Sequence, residues 1–485
     1  MNALRLAKVI CIVLALLTAI SSTAQTVATL FTFDGTDGSN PLTPLIQGND
    51  GKFYGTTNQG GTTPDSRLGG TVFAITPTGK LTTLYNFYAD YNPFNGQNPN
   101  GPLVQGPDRN FYGTAYGGGL HNAGTVFKIS KDGELTTLYS FCHSHPICPD
   151  GARPTSGLVQ GLNGNFYGLT VAGGANGEGT IFQITPGGKF TSLYSFCSLP
   201  NCADGSFPYQ SGLVVGANGN IYGTTYQGGV CPVSSSGCGT IFQITPAGEL
   251  TTVYNFCHLA DCADGATPVH GLVLGADGNL YGVTALGGLP SSICTIGCGT
   301  LFKITPGGKL TTLYSFCSQG NCYYYTLSPV QASDGNFYAV SPAGPPGSYG
   351  EIVKFTRRGV ISTLYSFESS VGSLESLMQA TNGGFYGTAL VGSDGDGAIF
   401  SISIGPAPFV ETQTVVGTVG SLVNILGNDL KGATAVTFNG TPAAFKVVSG
   451  AEITATIPAR ATTGPVRVTT SSGTLSSNIP FHVIP

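Results

Sequence analysis

Chemistry in this chain could come from its cysteines, its loop carboxylates and amides, its loop aromatics or its few histidines. Beyond Cys11, the cysteines fall in close pairs: Cys142/Cys148, Cys197/Cys202, Cys231/Cys238, Cys257/Cys262, Cys294/Cys298 and Cys317/Cys322. Such spacing could hold zinc or close a disulfide. Each pair recurs on its own, and a bridge within it would close a loop of only a few residues, pinning that loop locally. Six local disulfides are therefore expected, and no metal site. A second set is Asp37, Asn95, Asp150, Asp204 and Asp264, each followed by glycine and, four residues on, by proline. Their oxygens could ring a calcium ion or sugar hydroxyls, so calcium is the one cofactor they leave open. An Asx turn that opens a crossover is the simpler role. The third set is aromatic. Tyr91 and Phe94 cluster with Tyr88, Tyr116, Tyr209 and Tyr226 follow, and Tyr324 sits in a tyrosine triplet beside Cys322. Aromatic faces bury much area at low entropy cost and suit sugar rings or peptide side chains. Last, His143 and His145 flank one cysteine pair, where a metal pair competes with a plain solvated loop.

Catalytic patterns are missing from the sequence. It has no GxSxG elbow, no HExxH and no Walker loop. The carboxylate pairs Asp261/Asp264 and Asp394/Asp396 sit in turn-like sequence. A non-enzyme is the expectation. Charged residues are only 9% and the net charge is −5, with no Lys/Arg cluster to neutralise phosphates, so nucleic acid is excluded as a partner. Low charge also argues against long exposed helices. Hydrophobic residues at 41% suffice for a core.

The first 24 residues read as an export signal. Arg5 and Lys8 precede the apolar run Val9 to Ile20, which is too short to span a bilayer comfortably, and Ser22-Thr23-Ala24 supplies small residues for cleavage after Ala24. An uncleaved anchor is the alternative. No other stretch is long and apolar enough to cross a membrane. The even number of remaining cysteines fits an oxidising compartment.

The elements that must position these residues come from a tandem repeat. Phe53-Tyr54-Gly55 returns as Phe111-Tyr112-Gly113, Phe166-Tyr167-Gly168, Ile221-Tyr222-Gly223, Leu280-Tyr281-Gly282, Phe337-Tyr338-Ala339 and Phe385-Tyr386-Gly387. In each of these seven units four short β-branched and aromatic runs, A to D, read as strands. In the third they are 157–160, 165–170, 179–185 and 189–196. Asn-Gly or Asp-Gly joins A to B, which suits a type I′ hairpin; Asp108-Arg109 departs in the second unit and predicts a looser turn there. Thr-Pro-Gly-Gly or a relative joins C to D. Four antiparallel strands per unit point to a seven-bladed β-propeller. Thr29-Leu30-Phe31-Thr32-Phe33 matches a D strand with no A, B or C before it, and the last unit ends after C at 398–402. The N-terminal strand is therefore expected to complete the last blade and remove an open edge. The cysteines all fall in the long B–C and D–A loops, on one face of the disc, which becomes the candidate binding face.

From Phe409 the repeat stops. The expected organisation is a signal over 1–24, the propeller over 25–404, a Gly-Pro-Ala-Pro linker at 405–408 and a small antiparallel sandwich over 409–485. The unit FYG-(T/V)T … GGT-(V/I)F-(K/Q)-IT-P-x-G, seen at 124–141, 179–196, 239–256 and 299–316, resembles the GloVer (Gloeobacter–Verrucomicrobia) repeat of exported bacterial proteins. That resemblance implies an extracellular setting and no particular activity. The tail resembles an IPT/TIG immunoglobulin-like domain, carried by 423–430, 432–440, 453–458 and 464–469; such modules serve mostly as spacers or binding partners. The resulting expectation is a secreted or cell-surface bacterial protein, with the periplasm as the alternative, that binds an extracellular glycan or a surface protein. A polysaccharide lyase or hydrolase and a structural envelope component are the competing readings.

Overall fold

The computed structural model describes residues 26–62, 68–88, 93–209, 212–231, 234, 237–289, 297–316, 329–341, 350–367, 373–390 and 395–484. Residues 26–403 form seven antiparallel sheets, one per repeat. In the third, strands A to D are Val159–Gln160, Phe166–Thr170, Thr180–Ile184 and Phe190–Ser195, paired in that order. Strand A is shorter than its sequence suggests. In the first and second blades Pro44 and Pro102, two residues before it, cannot donate to a ladder. It lengthens only in the fifth and seventh sheets, to Ala266–Leu274 and Leu374–Gln379.

The ring closes as the sequence predicts. Thr26–Thr32 runs antiparallel to Ala398–Ser403 and becomes the outer strand of the seventh sheet. Phe53 and Phe73 of the first blade share a core with Phe33, Met378, Tyr386 and Ile399 of the last.

The Phe-Tyr-Gly signature explains how blades touch. Each strand-B tyrosine turns its ring to the next blade: Tyr54 stacks on Phe111 with centroids 3.9 Å apart, and Tyr112 on Phe166 at 4.1 Å. Across the closure Tyr386 meets Phe53 at 4.3 Å. The glycine makes room inside its own blade, since a Cβ at Gly282 would lie 2.6 Å from Phe302 Cζ. The sixth blade has Ala339 there and Val353 opposite, so the added methyl is matched by a smaller partner. A second link runs at the axis. The side-chain oxygens of Gln105, Gln331, Gln379 and Gln47 accept N–H bonds of 2.7–3.0 Å from Asn49, Ala276, Ser333 and Thr381 of the preceding blade. Gln160 stands opposite Pro107, which has no N–H to give, and keeps only the bond from its amide N–H to the Gly164 carbonyl of its own turn, a bond that Gln105, Gln331 and Gln379 also make to theirs.

The A–B turns differ from expectation. Only their glycines take positive φ, as at Gly51 (82°) and Gly164 (77°); Asp50 and Asn163 do not, which rules out type I′. The tyrosine explains why an Asx residue is kept. In every blade the strand-B hydroxyl bonds the turn residue four positions earlier, as Tyr54 does to Asp50 at 2.9 Å and Tyr281 to Asp277 at 2.9 Å. The second blade is not looser. Arg109 adopts φ 66°, with the same pair of turn hydrogen bonds, and its guanidinium reaches Glu452 of the tail at 3.0 Å.

That ion pair belongs to a docked tail. Residues 411–484 form a sandwich around Val423, Ile425, Phe438, Ile453 and Val468. It lies against the A–B turns. Val416 joins the core of Tyr167 and Ile221, Asn478 donates to the Gln331 carbonyl at 3.2 Å, and Gln413 donates to Gln105 at 3.2 Å. The short-turn face is thus occupied by the module, which is packed on the disc rather than held away from it.

The Gly282–Phe302 fit generates a paired test. Gly282→Ala should destabilise the protein by about 1–3 kcal/mol through overpacking. Adding Phe302→Val, which copies the sixth blade, should recover part of that loss in urea melts. Equal instability of the single and double variants would refute this account of the motif.

Candidate functional site

With one face covered by the tail, the long-loop face carries the candidate residues. Each disulfide loop follows a D strand or divides B from C. Four predicted bridges are formed: Cys142–Cys148, Cys197–Cys202, Cys231–Cys238 and Cys257–Cys262. Cys298 is also disulfide-bonded. Cys294, Cys317, Cys322, Tyr91 and Tyr324 lie outside the described residues. The carbonyls of Cys148, Cys202 and Cys262 accept N–H bonds of 2.8–2.9 Å from Gly174, Gly229 and Gly288 in the next B–C loop, so each pinned loop is fastened to its neighbour. The sulfurs of Cys231, Cys238 and Cys257 lie within 4.8 Å of one another. Each is spent in a disulfide and offers no thiolate to a metal.

The five Asp/Asn residues have an internal role. Asp204 and Asp264 are fully buried. Asp204 accepts from the Tyr194 hydroxyl at 2.7 Å and from the backbone N–H groups of Ser198 and Leu199. Asp264 repeats this with Tyr254, His258 and Leu259. Asp150 takes Tyr139 and the His143 N–H, while Asn95 donates to Tyr85 and accepts from Thr137. Asp37 accepts from the Asp34 N–H at 3.1 Å. The oxygens named in these bonds are engaged within their own crossovers, while Asp150 Oδ1 is buried without a partner. They tie the end of strand D to the start of the crossover. The glycine that follows has φ near 100°, and the proline packs across the blade boundary, where a Cβ at Gly70 would lie 2.7 Å from Pro99. The Asp-Gly-x-x-Pro run is an inter-blade staple.

Burial holds Tyr139, Tyr194 and Tyr254 of strand D far above the usual phenol range, and the carboxylate bond adds to it. The Tyr194 hydroxyl is pushed up to about 12, and those of Tyr139 and Tyr254 rise further for the same reasons.

Aromatic candidates survive in part. Phe94 is 58% exposed. Tyr209 is exposed and stacks on Phe207 at 5.4 Å; Tyr226 meets Phe207 edge-on at 6.5 Å. Tyr116 lies under the Arg153 guanidinium at 5.8 Å, a cation–π contact. These rings come from neighbouring crossovers of the second to fourth blades. His143 stacks on Tyr139 and approaches the Ser140 carbonyl at 3.0 Å, and His145 stacks on His121, so the two histidines are engaged apart.

A feature the sequence reading passed over is the set of apolar tips on these loops. Ile147 (73% exposed), Leu199 and Leu259 stand inside disulfide loops, and Leu120, Val230 and Leu289 stand in B–C loops; all are exposed. The signal was available: a leucine within a CxxxxC loop has too few neighbours to be buried. With Phe94 and Tyr209 they give the face an apolar character that isolated surface leucines would not.

Residues 16–231, 142–332 and 200–400 match the Gloeobacter/Verrucomicrobia repeat, and residues 408–483 match the IPT/TIG domain. No curated protein matches the chain. Among solved structures, a luciferin-regenerating enzyme is 8% identical, with 80% of this chain and 98% of that one covered and a TM-score of 0.41. A protein of unknown function from Bacteroides thetaiotaomicron is 14% identical, over 69% of this chain and 82% of that one, with a TM-score of 0.37.

The tyrosine–aspartate ties predict an alkaline limit. An unfolded tyrosine loses its proton near pH 10, while folded Tyr194 keeps it to about 12. The unfolded state therefore releases protons first, and stability should fall as pH rises through this window. A titration followed by tyrosinate absorbance should show a group of tyrosines that ionise only as the fold is lost. Free ionisation of every tyrosine near pH 10, with the fold intact, would contradict the ties.

Proposed function

The chain belongs to the Gloeobacter/Verrucomicrobia repeat family, and we propose that it is an exported, non-catalytic binding protein that presents the long-loop face to an extracellular glycan or surface protein. The observation that carries this is the concentration of exposed apolar side chains on loops pinned by disulfides, opposite a face covered by the IPT/TIG module. Eight large apolar side chains exposed on the loops of one face exceed the scattered single ones a surface ordinarily carries, and a concentration of that kind marks interaction. Rigid loops bind with less ordering cost than mobile ones. Among the described residues, no helix is long and apolar enough to cross a membrane. The disulfides fit an oxidising compartment outside the cytoplasm, and the leader sequence would deliver the chain there.

Co-sedimentation with insoluble polysaccharides and cell-wall material tests the reading. The mature chain should be retained by at least one of them. Joint replacement of Phe94, Leu199, Tyr209 and Leu259 by alanine should weaken retention at least about tenfold, roughly 1.4 kcal/mol, without lowering the melting temperature. Retention unchanged in that variant would remove the loop face from the account.

A further inference from the structure

The propeller axis holds a second site, separate from the loop aromatics. The segments leading into strand A converge there on one cavity of about 260 Å³. Its polar lining is Thr43, Asn100, Thr155, Ser156, His270 and Glu375. The strand-A leucine that follows recurs as Leu45, Leu158, Leu272 and Leu377, but the position two before it does not: it is Thr43, Ser156, His270 and Glu375 in those blades. The fold needs the leucine; it does not dictate this neighbour. The backbone at these positions is held outward. Thr114 donates to the Ser156 carbonyl at 2.8 Å and Thr224 to the His270 carbonyl at 3.3 Å. His270 keeps a left-handed backbone, φ 61°, where a histidine is uncommon.

Three buried polar atoms around this cavity have no protein partner: Thr155 Oγ1, Ser156 Oγ and His270 Nε2. Thr155 and Ser156 are each only 4% exposed. This contrasts with the blades, where buried threonines pair, as Thr57 does with Thr71 and Thr225 with Thr240. Buried hydroxyls and ring nitrogens are costly to leave unbonded, so a molecule that supplies donors and acceptors is the natural complement. Among the described residues the cavity has no lysine or arginine to hold an anion. His270 is kept neutral by burial, its pKa drawn down to about 4. A neutral imidazole, hydroxyls, an amide and one carboxyl match an array of ligand hydroxyls. Thr43, Asn100, Thr155 and Ser156 precede strand A, and His270 and Glu375 lie ahead of the leucine within its longer versions, so the cavity lies toward the long-loop side, while the tail packs below around Gln331 and Leu274.

We propose that this axial cavity binds a small uncharged polyhydroxylated molecule, of the size of one sugar ring, through Thr155, Ser156, His270 and Glu375. The test is calorimetric titration and thermal melting of the full mature chain with neutral monosaccharides and linear polyols, using glucuronate and calcium chloride as charged controls. At least one neutral compound should bind and raise the melting temperature. Thr155→Val and His270→Asn should each weaken it at least tenfold, and Phe94→Ala with Tyr209→Ala should leave it unchanged, which separates this site from the loop face. Without ligand, Thr155→Val should not lower the melting temperature, because the hydroxyl it removes has no partner to lose. The proposal is overturned if no neutral compound binds, if calcium or glucuronate binds instead, if the axial variants bind as well as the parent, or if Thr155→Val alone destabilises the free protein.

Discussion

The structure depends on one steric constraint: two sheets can lie face to face around an axis only if aromatic rings fill the gap without pushing the sheets apart. The Phe-Tyr-Gly strand meets this from both sides. Its tyrosine covers the next blade's phenylalanine, its glycine yields to the strand-C ring of its own blade, and its hydroxyl anchors the A–B turn. Any change must be matched in place, which is what Ala339 opposite Val353 does. Because every boundary uses the same strand-B tyrosine, set against a phenylalanine or against Ile221 or Leu280, the ring meets its own start at Tyr386 and Phe53 without a special joint.

That regularity frees the loops. The short-turn ends are consumed in docking the IPT/TIG module, through Arg109 to Glu452 and Val416 into the Tyr167 core. The long-loop ends carry sequence that the blades do not require. There the chain has placed its disulfides, its exposed leucines and its stacked Phe207–Tyr209 pair. At the axis it has placed His270 and Glu375 in a position that is Thr43 in the first blade, Gly101 in the second and Ser156 in the third. Function in this fold is written where the repeat is broken.

What could be read from the sequence follows the same line. Repeated features were legible: the strands, the closing N-terminal strand and the local cysteine bridges each appear several times, so one instance checks another. The type I′ assignment failed because the dipeptide alone does not reveal the tyrosine hydroxyl that holds Asp50 or Asn163 in a right-handed turn. The Asp-Gly-x-x-Pro run read as a turn with a polar ring left open beside it, because its partner, the strand-D tyrosine about ten residues upstream, is one strand feature among many. The docked tail and the axial cavity were invisible for a different reason. Each is assembled from single residues hundreds of positions apart, such as Gln105 with Gln413 or Thr43 with Glu375, and no local pattern records such meetings.

The central claim is a ring closed by its first strand, rigid enough to hold the loop face still. Hydrogen exchange read at residues 26–32 and 398–403 tests it most directly, since an outer strand that closes the ring opens only when the propeller does. The account predicts protection of 26–32 equal to that of the D strands in the other blades, lost in one cooperative step. Rapid exchange at 26–32 while 398–403 and the other blades stay protected would contradict it.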